Sequence, residues 1–124
     1  RPLYVVQDST LVKYAGDKKS VGGFQRETRR YFTNHEIHLS SNSLLYLTTD
    51  GFVDQMNPEK RKIGPKQFIK LLESNSKEPL SKQKEILLNM LEFYKNGEEQ
   101  IDDICIFGIK VQHTKLLQYA IKSH

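Results

Sequence analysis

Leu44-Leu45-Tyr46-Leu47-Thr48-Thr49-Asp50-Gly51-Phe52-Val53-Asp54-Gln55 is the stretch on which the reading of this chain turns. The run from Ser43 to Thr49 is apolar, aromatic and β-branched, the composition of a strand packed on at least one face. It stops at an aspartate followed by a glycine. Asp-Gly between apolar runs also makes a tight hairpin turn, and that reading stays open, although Phe52 to Pro58 does not resume strand alternation. Asp50 to Pro65, about 16 residues with Gly51, Pro58, Gly64 and Pro65, is an irregular connection. It exceeds the usual connection length, which favours a functional loop, with Asp54 to Pro65 as an adjustable flap carrying Lys60, Arg61 and Lys62.

Downstream of that loop the period changes. Pro65 opens a helical pattern with Phe68, Ile69, Leu71 and Leu72 on one face, and a second helix runs from about Ser81 to Asn96 through Ile86, Leu87, Met90, Leu91 and Tyr94. Asn96-Gly97 ends it, with glycine expected to supply the left-handed cap. Ile104 to Val111 reads as the last strand, with Cys105 expected to be a small buried hydrophobe. Upstream, Leu3 to Val6 and Thr10 to Tyr14 read as a hairpin turning at Gln7-Asp8-Ser9. Ala15 to Gly23 is loop-like, and Thr28 to Phe32 and Glu36 to Leu39 read as two further strands. Strands first and helices later imply an α+β fold, with helices covering a mainly antiparallel sheet. Residues 113–124 form a tail in which Leu116, Leu117, Ala120 and Ile121 permit an amphipathic turn or two.

Asp50 ends the most apolar strand, and Asp102-Asp103 directly precedes the last one. If those two strands are antiparallel neighbours, Asp50 and Asp102 meet although they stand 52 positions apart. Two carboxylates about 5 Å apart repel by roughly 3 kcal/mol at an effective dielectric of about 20. Hard divalent ions such as magnesium or manganese, which prefer carboxylate oxygen, remove that cost. A pair of such ions clamps a phosphate and activates water. The plainer reading of Asp102-Asp103 is a solvated strand start. His35 and His38, in a strand-like segment, point to opposite faces and make a poor metal pair.

The composition, 37% hydrophobic and 27% charged over 124 residues, suits one domain or a large part of one. No apolar run approaches the roughly 20 residues that span a bilayer, and no leader pattern opens the chain. A single cysteine allows no internal disulfide and fits a reducing cytoplasm. The net charge of +4 gathers partly at Lys60, Arg61, Lys62, Lys66 and Lys70. A solvated face explains that cluster better than a nucleic-acid interface, since aromatic interleaving and zinc or helix-turn-helix spacing are lacking. Neither a phosphate loop nor a nucleophile elbow occurs, and Cys105 lacks the cradle of a thiolate nucleophile.

Taken together, these segments resemble one family. Residues 44–55 look like the "L-Y-x-T/S-D-G" segment of sporulation-protein-IIE-like serine/threonine phosphatases, members of the metal-dependent (type 2C) protein phosphatase superfamily. Ile101-Asp102-Asp103-Ile104-Cys105-Ile106-Phe107 resembles their closing "D-D-I/M-T" strand, with Cys105 in place of Thr. Arg1-Pro2-Leu3-Tyr4-Val5-Val6 resembles their "N-P-L-Y" strand, Asp17 to Gly23 their glycine-ended loop, and Phe32 to Ile37 the strand pair that follows.

The resemblance covers residues 1 to about 112, taken as the phosphatase part, with 113–124 as a tail. It implies part of an α-β-β-α sandwich. It also implies Asp50 and Asp102 as metal ligands and catalytic carboxylates, Asp103 in a supporting place beside the metal, and Gly51 allowing a close backbone approach. Two manganese or magnesium ions are expected in a complete domain, which would hydrolyse phosphoserine or phosphothreonine on a regulatory protein with a metal-activated water. An anti-sigma-factor antagonist is one such substrate, and an upstream sensor or receiver module one such neighbour. The family's first metal aspartate, in a "G-D-x-x-G-H/K-G" segment before "N-P-L-Y", has no counterpart here. The chain is therefore expected to be truncated on the N-terminal side, inactive alone, and prone to self-association through an unpaired edge at Leu3 to Val6. A non-catalytic protein-binding module on the same scaffold is the alternative. Contact with nucleic acid or with a membrane is not expected.

Overall fold

The computed structural model describes residues 1–24, 26–27 and 29–112; the tail from 113 onward lies outside the described residues. Four strands form one antiparallel sheet: β1 (Leu3–Gln7), β2 (Thr10–Tyr14), β3 (Leu44–Thr48) and β4 (Ile106–Lys110), in the order β2-β1-β3-β4. Three helices follow β3 and precede β4: α1 (Gly51–Asp54), α2 (Pro65–Ser74) and α3 (Leu80–Lys95). The α+β class read from the sequence is the class observed.

The hairpin β1-β2 closes Gln7 on Thr10, leaving Asp8 and Ser9 as a two-residue loop with φ of 50° and 62°. Two successive positive φ angles suit the right-handed twist of the flanking strands, and short polar residues tolerate them best. β1 pairs with β3 on its other side, Leu3 opposite Leu47 and Val6 opposite Leu44. The expectation that Leu3 to Val6 forms an unpaired edge is therefore overturned. It is a central strand, and the edges are β2 and β4.

Alternation along the strands separates two faces. Tyr4, Val6, Leu44 and Tyr46 point to the side covered by α2 and α3, where they join Phe52, Ile63, Phe68, Leu72 and Leu91 in the core. Tyr4 meets Phe68 edge-on, with ring centroids 5.6 Å apart. Pro65 sits at the start of α2, where its missing N–H costs nothing. α3 ends at Asn96, which itself takes the left-handed conformation (φ 44°) expected of Gly97; Gly97 follows at φ 90°. On the opposite face, Val12, Leu47, Phe107 and Ile109 remain exposed.

Three expectations fail for physical reasons. The described residues of the segments Thr28 to Phe32 and Glu36 to Leu39 form no strand. Polar groups in and beside them bond to loops and to β1 instead: Thr33 donates to Asp17 through both its backbone N–H and its hydroxyl, Arg30 donates to the Ser20 and Phe24 carbonyls, and Ser40 donates to Gln7. Cys105 is exposed rather than buried, because it falls on the same side of the chain as Phe107 and Ile109. Finally, the "irregular" connection begins with α1, a helix too short to show periodicity in sequence.

Candidate metal and phosphate site

β3 and β4 are antiparallel neighbours in a register that pairs Thr48 with Ile106. The C-terminal end of β3 therefore lies beside the N-terminal end of β4, the arrangement needed to join Asp50 to Asp102. Thr49 extends the pairing past the strands. Its backbone N–H donates to the Cys105 carbonyl at 3.0 Å, its hydroxyl donates to the Asp103 carbonyl at 2.7 Å, and the same oxygen accepts from Cys105 N–H at 2.9 Å. One threonine side chain thus ties the 102–105 segment to the end of β3.

Asp50 is the residue preceding α1, and Gly51 begins the helix. Gly51 is buried against the chain that carries the other acids: a Cβ built there would stand 2.4 Å from the Asp103 carbonyl oxygen and 2.9 Å from the Ile104 side chain. The close backbone approach anticipated at Gly51 occurs, and its partner is the Asp103 backbone. Asp102 Oδ1 accepts the Asp103 N–H at 2.8 Å, and the Asp102 carbonyl accepts from Gln100 Nε2 at 2.9 Å. These turns hold the acidic pair at the strand entrance.

The Asp50 carboxylate already neighbours a cation. Arg1 donates to it through two nitrogens, Nη1 to Oδ2 at 2.6 Å and Nη2 to Oδ1 at 3.0 Å. That fork holds the carboxyl below the usual carboxylate value, and a backbone hydrogen bond within Asp50 adds to the effect. Carboxylates at adjacent strand ends are the donor chemistry a hard divalent ion requires, and Arg1 holds the place of a cation at one of them. Among the described residues no group of three or more His, Cys, Asp and Glu side chains gathers to hold such an ion. The donors fit the ion in kind, and two of them are on hand.

Arg1 went unnoticed in sequence because the Leu3 to Val6 run was joined only to its hairpin partner. Pairing that run with residues 44–47 as well carries Arg1 level with Thr49, beside Asp50. The loop after α1 folds back through a bridge between Met56 and Lys62. Its cations are partnered: Lys60 with Glu98 at 2.6 Å and Lys62 with Asp54 at 2.8 Å. Gln55, fully buried beneath, donates to the Met56 and Glu99 carbonyls and anchors the loop. A cavity of about 360 Å³ lies apart from the carboxylates, between α3 and the sheet, lined by Leu80, Leu87, Ile106 and their neighbours.

The four-stranded antiparallel sheet with helices on one face is shared with solved PP2C phosphatase domains. The SiaA-PP2C domain of Pseudomonas aeruginosa superposes with a TM-score of 0.77 at 26% identity, over 90% of this chain and 43% of that one. The phosphatase domain of the cell fate determinant SpoIIE from Bacillus subtilis gives TM-scores of 0.60 in two structures, one of them presoaked in manganese. At 11% and 12% identity these two support the fold alone; they cover 93% and 92% of this chain and 48% and 49% of theirs. The chain thus spans under half the length of the solved domains it matches. No curated protein sequence matches it significantly. The family model of Stage II sporulation protein E (SpoIIE) matches residues 1–112, and the chain belongs to that family.

Proposed function

We propose that this chain forms part of a metal-dependent phosphoprotein phosphatase domain, in which Asp50 and Asp102 are the metal-holding carboxylates. The observation that carries the reading is the clasp of Thr49 on residues 103–105, which sets the two acids at neighbouring ends of β3 and β4. A manganese or magnesium ion bound there would supply polarisation of water and of the phosphoryl group. The chain's own part is to hold the acids apart from the core and in fixed register. Gly51 lets α1 start against the Asp103 carbonyl, and Asp103 fixes the turn that aims Asp102. The substrate class is phosphoserine or phosphothreonine on a regulatory protein of the anti-sigma-factor-antagonist kind, with an upstream sensor or receiver module and a cytoplasmic setting. Among the described residues no helix is long and apolar enough to cross a membrane.

A second reading, a protein-binding module without catalysis, draws on the incomplete donor set and on Arg1 already pairing with Asp50. Turnover separates the two. The full-length protein should release phosphate from a phosphoserine protein only with manganese or magnesium, and Asp50→Asn or Asp102→Asn should lower the rate by about a hundredfold or more. Either variant turning over at the wild-type rate would remove these acids from the chemistry.

A further inference from the structure

Arg1 is carried to the site by the pairing of β1 with β3, and the reading of Asp50 as a metal carboxylate gives its side chain no role. Its backbone stands just before β1, with Pro2 between, and its carbonyl packs so closely on Gly16 that a Cβ there would meet it at 2.9 Å. Its side chain, by contrast, is 60% exposed, and the one recorded partner of that side chain among the described residues is Asp50, itself 37% exposed. A bidentate fork anchored at its base and open at its tip is well placed to let go of one anion and take another. A guanidinium matches carboxylate and phosphate with the same two-pronged geometry.

We propose that Arg1 is a displaceable counter-cation of Asp50: its guanidinium neutralises the carboxylate in the metal-free site, yields it to a divalent ion, and then pairs with the phosphoryl oxygens of the substrate. The inference rests on the reading of Asp50 as a metal carboxylate. The fork takes one lone pair on each Asp50 oxygen, so a divalent ion approaching from the side that Arg1 faces competes with the guanidinium for Asp50. Once freed, the guanidinium stays within reach of the site because its backbone is held by β1 and Gly16. An incoming phosphate dianion replaces the lost carboxylate as its partner.

The test is a calorimetric titration of manganese into the full-length protein, followed by inorganic phosphate into the manganese-loaded protein. Removing an exposed competitor should tighten manganese binding of Arg1→Ala by about two- to fivefold. Arg1→Lys, which keeps the charge but not the fork, should tighten it by less than Arg1→Ala does. Phosphate binding to the loaded Arg1→Ala protein should weaken by about tenfold. In an Asp50→Asn background the Arg1 substitution should no longer change manganese affinity. Unchanged or weaker manganese binding by Arg1→Ala overturns the proposal, as does unchanged phosphate binding. If Asp50→Asn alone binds manganese as the wild type does, the metal reading of Asp50 itself fails, a result distinct from failure of the Arg1 exchange.

Discussion

Gly51 and Thr49 flank Asp50, and each is chosen by what it must fit against rather than by the chemistry it performs. Gly51 needs no unusual φ; it needs the absence of a side chain, because the Asp103 carbonyl occupies the space where a Cβ would go. Gly51→Ala should force α1 and the 102–104 segment apart. Overpacking of this kind costs typically 1–3 kcal/mol, to be read as a lowered urea midpoint, and the same displacement should weaken manganese binding by the full-length protein. A variant with wild-type stability would mean that the contact yields without strain. Asp50 and Asp102 stand out in sequence as candidates because acids at strand ends, Asp50 with a glycine after it, are recognisable one residue at a time. Arg1 does not, since its role depends on which strand lies next to β1, and that is a property of pairing rather than of composition.

Elements are held here by a few polar contacts buried among apolar ones. The phenol of Tyr46 on β3 donates to Gln83 Oε1 on α3 at 2.5 Å, and Gln83 Nε2 donates to the Glu78 carbonyl at 2.9 Å. Burial pushes the Tyr46 phenol up to about 12, so it remains a donor at any ordinary pH. Tyr46→Phe would leave Gln83 Oε1 buried without a donor, a loss of about 1–3 kcal/mol measurable in the unfolding midpoint. The β2–β3 connection is tied differently, through Asp17. The Thr33 backbone N–H at 2.6 Å is the chief cause of its lowered pKa, with the Thr33 hydroxyl also contributing. Because the folded value lies below the unfolded one, the clasp is fully present above the ordinary carboxylate pKa of about 3.9 and is lost as pH falls through the lower folded value. The Thr33 amide resonance should therefore stay constant from neutral pH down to that range and move only below it; a midpoint above it would contradict the assignment. β3, β4, α2 and α3 were legible because each has a sustained period. The segments 28–32 and 36–39 misled because alternation describes a strand's faces but not its partner, and polar groups in and beside them bond to loops and to β1 rather than to a neighbouring strand.

At the scale of the whole molecule, the sheet has one face covered by α2 and α3 and another on which Leu47 and Phe107 stand 48% and 57% exposed beside Val12 and Ile109. Contiguous apolar surface of this kind seldom stays bare on a soluble protein. The 124-residue chain taken by itself should self-associate, and the association should run through this face and the edges of β2 and β4, not through β1. Light scattering of the isolated chain tests this, with Leu47→Lys and Phe107→Lys together expected to restore a monomer. A monomeric wild-type chain would show that the face is covered from within. Over its length the chain matches less than half of each solved domain it resembles.

Asp50 and Asp102, far apart in sequence, are proposed to act on one divalent ion at the shared end of β3 and β4. Manganese titration of the full-length protein, followed by calorimetry in the wild type, Asp50→Asn, Asp102→Asn and the double variant, tests it most directly. Each single variant should weaken binding by about tenfold or more, and the double variant should lose less than the product of the two, because both acids serve the same ion. Wild-type affinity in either single variant, or losses that multiply independently, would contradict a shared site.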